Sequence, residues 1–246
     1  MIQSTRSAGR LLRRESRQTG SRFTQRVYDA VAPFYGISAR LFHSRAHGAA
    51  LAACSIQNGM RILELGMGSG EMFARLLDAN RDGQIFGIDL SPKMAARSQA
   101  VARRLFPDVL AQCQAADACR LPFPSGSLDA VVCCYLFELL DDEDIHRTLD
   151  EIRRVLKPHG RLTLTLVGEK KRGFSAAYRV ASKVAPAFWG RQVDQYVVST
   201  LPSCGFRVTK NCYVRQLFYV SRVISAVSIN ADSPSVLFCE AGSISA

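Results

Sequence analysis

The sequence lacks any apolar run of the roughly 18 residues that a membrane-spanning helix requires, which argues against an integral membrane protein. Its N-terminus also lacks the apolar core of a secretory signal, so we expect a cytoplasmic protein. The eight cysteines lack C-x-x-C spacing and any cluster with histidine, which argues against a zinc site or a disulfide framework. We therefore expect them to be small buried hydrophobic residues in a reducing compartment.

Two pairs of neighbouring residues resemble ligands or nucleophiles but lack the partners that such chemistry needs. His43 and His47 would share one face of a helix, yet no third donor accompanies them, and a metal site needs three or four. Cys133 and Cys134 lie in a strand pattern, where neighbouring side chains point to opposite faces. We predict no metal site and assign both thiols to packing.

Basic residues are abundant and unevenly placed within the net charge of +11. Residues 1–30 contain seven arginines against two acidic residues, and residues 168–191 contain six basic residues against one acidic residue. These segments favour an anionic partner, either lipid headgroups at a membrane surface or nucleic acid, and a solvated charged surface is the alternative. Because no RNA-binding module is recognisable, nucleic acid is the weaker option.

The length of 246 residues and a hydrophobic content of 48% suit one sizeable core, so we expect a single domain over residues 23–246. Residues 1–22 are rich in Arg, Ser and Gln and are predicted to be a disordered tail. The same composition is typical of organelle transit peptides, so import is an open alternative. Residues 23–53 predict two helical pieces, broken near Pro33 and Gly36, that pack across the front of the domain.

Strand and helix patterns then alternate along the chain. The predicted strands are Arg61–Leu65, Gln84–Asp89, Val109–Gln114, Leu128–Tyr135 and Gly160–Val167. The predicted helices are Glu71–Ala79, Pro92–Phe106 with Ser91 as N-cap, Asp142–Leu156 with Asp141 as N-cap, and a segment near Gln192–Ser203. Two extended runs, Phe206–Val214 and Leu217–Ile229, predict an edge hairpin. The expected fold is α/β, with a Rossmann-like, doubly wound, mostly parallel seven-stranded sheet and an antiparallel C-terminal hairpin.

The first strand runs directly into three glycines at alternate positions, Gly66, Gly68 and Gly70. Glycines and a following helix N-terminus are typical of a loop that binds a nucleotide-like ligand. The dinucleotide fingerprint G-x-G-x-x-G needs a further glycine where this chain has Glu71, so that interpretation fails. Asp89 ends the second strand, where it can accept hydrogen bonds from both hydroxyls of a ribose.

Five motifs in register resemble those of class I S-adenosylmethionine-dependent methyltransferases over about residues 27–166. They are Glu64-x-Gly66-x-Gly68-x-Gly70, Gly87-Ile88-Asp89-Leu90-Ser91, Asp117 before Leu121-Pro122-Phe123, Leu128-Asp129-Ala130-Val131, and Arg154-Val155-Leu156-Lys157-Pro158. An opening segment, Tyr28-Asp29-Ala30-Val31-Ala32-Pro33-Phe34-Tyr35, resembles the branch of quinone C-methyltransferases and phospholipid N-methyltransferases. His159 stands where that pattern usually has a glycine, and Phe137-Glu138 stands where histidines are common.

The resemblance implies S-adenosyl-L-methionine as the cofactor and assigns roles to residues by position. Glu64, Gly66, Gly68 and Gly70 would line its methionine and ribose end, and Asp89 would hold the ribose diol. Leu90 would pack on the adenine, while Asp117 and Ala118 would meet its amino edge. Tyr28 and Tyr35 would cover the methionine portion.

The sequence thus predicts an enzyme that transfers a methyl group by direct in-line displacement. The acceptor is expected to be small and lipophilic, either a phospholipid amine or a prenylated quinone precursor. The segment after the fourth strand, including Tyr135 and Glu138, should face the methyl group, although an exposed helix acid is the alternative for Glu138. The basic, aromatic insertion 168–190 predicts a lid resting on the inner face of an anionic membrane. The competing interpretations are an RNA methyltransferase and an inactive cofactor-binding accessory protein.

Overall fold

The computed structural model describes residues 43–68, 70–168, 191–216 and 219–229. Residues 43–54 are helical and are termed α1. The elements that follow are β1 (Arg61–Leu65), α2 (Glu71–Ala79), β2 (Gln84–Asp89), α3 (Pro92–Leu105), β3 (Leu110–Ala115), β4 (Leu128–Cys134), a 3-10 turn (Phe137–Leu139), α4 (Asp142–Val155), β5 (Leu156–Val167), α5 (Asp194–Thr200), β6 (Phe206–Arg215) and β7 (Val220–Ser228). The predicted tail, Tyr28, Tyr35 and the body of the 168–190 insertion lie outside the described residues.

The seven strands form one sheet in the order β3-β2-β1-β4-β5-β7-β6. Strands β1 to β5 pair in parallel, whereas β7 runs antiparallel to both β5 and β6. The predicted α/β fold with an antiparallel C-terminal hairpin is therefore confirmed. The hairpin does not extend the sheet in chain order: β7 pairs with β5, and β6, which comes first in the chain, forms the outer edge.

Helices cover the sheet on both faces, and each face has its own core. One core joins the strands to α1, α2 and α3 through buried side chains such as Ala50, Phe73 and Ala95. The other joins them to α4 and α5 through buried side chains such as Ile145 and Val197. Because successive strand residues point to opposite faces, Cys133 enters the second core and Cys134 the first, as predicted.

Local signals account for where the helices begin. The Oγ of Ser91 accepts a hydrogen bond from the amide of Met94 at 3.2 Å, and the carboxylate of Asp141 accepts one from the amide of Asp144 at 2.8 Å. Both are N-caps that satisfy first-turn amides, as predicted. No helix among the described residues combines the length and apolar character that crossing a membrane would take.

Several strand boundaries differ from the sequence prediction: β3 and β6 by no more than a single residue at either end, β7 by a few residues, and β4 and β5 for identifiable reasons. Strand β4 ends at Cys134, because Tyr135 adopts a left-handed backbone with φ of 57°. Strand β5 begins at Leu156 rather than Gly160, and its pairing with β4 shifts register between Leu128 and Ala130. His159 lies in this irregular stretch with φ of 61°, a conformation that glycine adopts more easily.

Candidate functional site

The order of the strands places the ends of β1, β2 and β4 at one crevice. From β1 the chain builds outward through β2 and β3, and then returns to form β4 on the other side of β1. In an open α/β sheet, ligands bind outside the carboxyl ends of the strands where the order reverses in this way. The residues that follow β1, β2 and β4 are therefore the ones to examine.

The loop after β1 depends on glycine at its three alternate positions. Gly66, Gly68 and Gly70 have φ values of 71°, 48° and 76°, which residues with a Cβ rarely adopt. A Cβ on Gly70 would also lie 2.9 Å from the Oγ of Ser98 in α3. The backbone can thus bend tightly and approach a ligand, ahead of the positive end of α2.

The carboxylate of Asp89 lies beside this loop. Its Oδ2 accepts a hydrogen bond from the amide of Gly68 at 2.9 Å, and its Oδ1 accepts one from the amide of Ser91 at 2.9 Å. These bonds fix the orientation of the carboxylate between the glycine loop and α3. Carboxylate oxygens can each accept more than one hydrogen bond, so this orientation is compatible with the predicted role in holding a ribose.

Glu64 is buried at the end of β1 with only 1% of its surface exposed. Its Oε2 has no hydrogen-bond partner among the described residues. Burial raises the pKa of this carboxyl well above its usual range, and the nearby charges of Asp89 and Glu71 raise it further. A ligand with a positive charge would satisfy this atom and reverse the shift. The site therefore fits S-adenosylmethionine, which carries an ammonium and a sulfonium group.

The residues predicted to meet the adenine lie on the far side of β2. Leu90 is 39% exposed, which is unusual for a leucine that follows a buried strand. Asp117 is exposed, Ala118 is half-buried, and the segment is held near β2 by a 3.0 Å hydrogen bond from the amide of Ala116 to the carbonyl of Asp89. An exposed apolar side chain next to a polar edge suits a purine. The two roles stay predictions.

Tyr135 follows β4 in a strained backbone conformation and is half-buried. Its amide donates to the carbonyl of Thr165 at 2.8 Å, and its Oη lies 2.7 Å from the Oγ of Ser221. A left-handed conformation costs a residue with a Cβ roughly 1–2 kcal/mol, and such strain is concentrated at functional sites. Its position agrees with the predicted substrate-facing role, which stays a prediction.

Glu138 is buried, with 3% of its surface exposed, so the alternative of an exposed helix acid is wrong. Its Oε1 accepts a 2.6 Å hydrogen bond from the amide of Val167, and its carbonyl accepts a 2.8 Å bond from the amide of Arg191. Glu138 thus joins the chain segments on either side of the insertion. Burial raises the pKa of Glu138 to about 7, and the charge of Asp194 acts in the same direction. Its predicted position facing the methyl group stays a prediction.

Three residues at the site have no strong signal in the sequence. His43 in α1, Tyr219 before β7 and Ser221 in β7 converge on Tyr135, although 176 residues separate His43 from Tyr219. In the sequence, His43 is notable only because its spacing from His47 suggests a possible pair of metal ligands. His47 instead approaches Glu71, with His47 Nδ1 and Glu71 Oε2 3.4 Å apart, a distance that suits charge attraction without an aligned hydrogen bond. The described residues contain no cluster of three metal-ligating side chains.

Comparisons with known proteins agree with this geometry. A family model described as a methyltransferase domain matches residues 62–160. The chain is 37% identical to a demethylmenaquinone methyltransferase of Thermus thermophilus over 123 residues, which are 49% of this chain and 53% of the relative. It is 30% identical to a demethylmenaquinone methyltransferase of Deinococcus radiodurans over 171 residues, which are 67% of this chain and 68% of the relative. The match thus spans about half the length of the first relative and two thirds of the second.

Among solved structures, the fold is similar to that of the [4+2]-cyclase SpnF. The TM-score is 0.69 at 19% identity, and the match covers 83% of this chain and 94% of that one. The sequence and fold matches together place the chain in the class I S-adenosylmethionine-dependent methyltransferases. Within that class it resembles the quinone C-methyltransferases.

Proposed function

We propose that the protein transfers the methyl group of S-adenosylmethionine to a small lipophilic acceptor, a prenylated quinone precursor. The observation that carries the proposal is the buried Oε2 of Glu64, which has no hydrogen-bond partner among the described residues and lies at the same crevice as the glycine loop and Asp89. The names of the two curated relatives support a quinone acceptor. The cofactor supplies an electrophilic methyl group on sulfur.

The chain's own contribution is to bind and to orient. Glu64 and the amides of the glycine loop would hold the charged methionine end, and Asp89 would hold the ribose. Tyr135 would then form part of the wall on which an aromatic acceptor lies. Alignment of two bound reactants lowers a displacement barrier by several kcal/mol (roughly 7–11 in the best intramolecular cases). A flat ring can be held for in-line attack by the half-buried aromatic side chains around Tyr135.

The test is transfer of label from S-adenosylmethionine into separate acceptor preparations. A demethylated naphthoquinone that has been reduced to its quinol and kept reduced in detergent is expected to take the label, and vesicles of phosphatidylethanolamine and total RNA are expected to take little. Preferential labelling of phospholipid would replace the quinone with an amine acceptor, and labelling of RNA would favour the RNA methyltransferase. Tight cofactor binding without transfer to any fraction would contradict the proposal and indicate an accessory protein.

A further inference from the structure

A ring cluster at the carboxyl edge of the sheet has no assigned role in cofactor binding. The centroids of His43 and Tyr135 are 4.4 Å apart, and those of His43 and Tyr219 are 5.9 Å apart. The three residues come from α1, from the end of β4 and from the connection between β6 and β7. Tyr135 directly precedes Leu136, whose Cβ would lie 3.3 Å from a Cβ on Gly66. The cluster therefore borders the glycine loop.

The hydrogen bonds within the cluster favour one position for a proton. The Oη of Tyr219 donates to the Oη of Tyr135 at 3.4 Å and also contacts the Nδ1 of His43. A phenol has one proton, so while Tyr219 donates to Tyr135 it can only accept from His43, and Nδ1 then carries the hydrogen. In a neutral imidazole the lone pair then lies on Nε2. The Oη of Tyr135 and the Oγ of Ser221 are 2.7 Å apart, so the hydrogen-bonded chain continues to β7.

The surroundings keep this imidazole neutral. Burial lowers the pKa of His43 to about 4, the neighbouring His47 lowers it further, and Glu71 acts in the opposite direction. Within the described part of the chain, the titratable groups that face it are His47 on its own helix, Glu71 on α2, Tyr135 after β4 and Tyr219 before β7. His43 is half-buried, and among the described residues its hydrogen bond is the one to Tyr219. Its Nε2 is thus available to a ligand.

We propose that Nε2 of His43 accepts a proton from the methyl acceptor, and that the acceptor is an aromatic ring with a phenol-type hydroxyl. The inference rests on the proposed function and narrows its substrate. The O–H bond of the acceptor breaks and its proton goes to Nε2. The electron pair left behind, either on the oxygen or delocalised to a ring carbon, forms the new bond to the methyl group. The sulfur keeps the electron pair of the broken S–C bond. After attack by a ring carbon, the proton on that carbon leaves to water. A neutral amine would need no such base before attack.

The proton arrangement can be tested without turnover. In protein labelled with ¹⁵N at histidine, we expect His43 at neutral pH to show a protonated Nδ1 and an unprotonated Nε2. Addition of 4-nitrophenol together with S-adenosylhomocysteine should shift the Nε2 resonance and leave the Nδ1 resonance nearly unchanged. Tyr219→Phe should abolish the preference for the Nδ1 proton. A proton on Nε2 in the unmodified protein would overturn the proposal.

Turnover rates and their dependence on pH provide a second test. In His43→Asn the amide nitrogen can still donate to Tyr219, but no group replaces Nε2. We expect turnover of a hydroxylated naphthalene to fall on the order of 10²-fold, the usual range for a lost general base, with cofactor affinity unchanged. The residual rate should rise with pH as hydroxide substitutes, whereas the unmodified enzyme should be insensitive to pH above about 5. A wild-type rate and pH profile in His43→Asn would show a structural role only.

The chain offers a matched control in a second histidine–tyrosine pair. His146 Nε2 lies 3.1 Å from Tyr196 Oη, where α4 meets α5 on the opposite face of the sheet. His146→Asn and Tyr196→Phe should leave the rate and its pH dependence unchanged. Transfer to an amine and to no hydroxylated ring would refute the inference while the methyltransferase function stands. If the nitrogen resonances of His43 shift as expected but no acceptor is methylated, the proton arrangement is supported and the proposed function is refuted.

Discussion

The side chain of Asp89 joins the glycine loop to β2 and to the start of α3. Its two oxygens bind the amides of Gly68 and Ser91, so the carboxylate is already oriented before a ligand arrives. Asp89→Ala should weaken the binding of S-adenosylmethionine by about 1–3 kcal/mol, the usual loss for a hydrogen bond to a charged group. Isothermal titration calorimetry measures this directly.

The control for Asp89→Ala is Asp108→Ala, which removes an exposed carboxylate from the loop between α3 and β3. We expect that variant to bind the cofactor with unchanged affinity. Equal affinities for both variants and the unmodified chain would remove Asp89 from the site.

Glu138 links stability to pH. Its pKa is about 7 in the folded chain and about 4.5 in the unfolded chain, so folding favours the protonated form. The stabilisation is complete below about pH 4.5 and is lost as the pH rises through about 7, with a total on the order of 3 kcal/mol. Glu138→Gln keeps an acceptor for the amide of Val167 and cannot ionise. Urea unfolding should show that, between about pH 5 and about pH 8, the free energy of unfolding decreases less for this variant than for the unmodified chain.

The exposed Glu143 on α4 provides the comparison for Glu138. Glu143→Gln should keep the pH dependence of the unmodified chain, because this side chain is exposed on α4 and belongs to neither core. If Glu138→Gln loses as much stability as the unmodified chain between the two pH values, another group controls the transition.

Within β2, Gly87 makes room for the loop that follows β1. A Cβ at position 87 would overlap the sulfur of Met67, which is 3% exposed and lies between Gly66 and Gly68. Gly87→Ala should therefore displace Met67 and destabilise the chain by about 1–3 kcal/mol, the usual cost of overpacking. Cofactor affinity should fall as well, because the displaced residue belongs to the glycine loop. Thermal unfolding and calorimetry measure the two effects.

The double variant Gly87→Ala/Met67→Ala separates overpacking from a general effect of alanine in a strand. Removal of the methionine side chain gives the new methyl group space, so part of the lost cofactor affinity should return. Gly48→Ala in α1 is the control, since its nearest neighbour would be the Nη1 of Arg75 at an ordinary 3.8 Å. No recovery in the double variant would refute this account of Gly87.

Elements defined by local chemistry were predictable, and contacts between distant segments were not. Helix α2 spans Glu71–Ala79 as predicted, because its apolar residues recur at helical spacing. The start of β5 was missed because Leu156 pairs with Leu128 across the sheet, ahead of the turn-forming residues 157–160 that suggested a break. The burial of Glu138 was missed for a related reason: its partner, the amide of Val167, belongs to another strand.

The same distinction applies to the site. The cofactor side follows from short motifs, since Glu64, the glycines and Asp89 lie at strand ends that any parallel sheet of this order brings together. The proposed acceptor side depends on contacts between distant segments, because His43 in α1 meets Tyr219, which precedes β7, the strand between β5 and β6. A histidine without neighbouring donors carries no local signal of such a role.

For the molecule as a whole, the uneven charge makes the choice of partner testable. The net charge of +11 is concentrated in residues 1–30 and 168–191. A basic residue near an anionic bilayer contributes about 1 kcal/mol, and the attraction decays over a Debye length of about 10 Å at 0.1 M salt. A lipophilic acceptor would reside in such a bilayer. We therefore expect the full chain to sediment with vesicles containing phosphatidylglycerol at low salt and to be released as salt increases.

Neutralising variants identify the segment responsible for binding these vesicles. Replacement of Lys170, Lys171 and Arg172 by glutamine should reduce sedimentation more than replacement of the exposed Arg103 and Arg104 on α3. Vesicles of phosphatidylcholine alone, which have no net charge, should bind little of either protein. Equal binding to charged and neutral vesicles, or undiminished binding by the first variant, would show that the basic insertion does not recruit the protein to its acceptor. The cationic residues would then be a solvated surface, and the acceptor would have to reach the crevice beside Gly66 from solution or from a carrier.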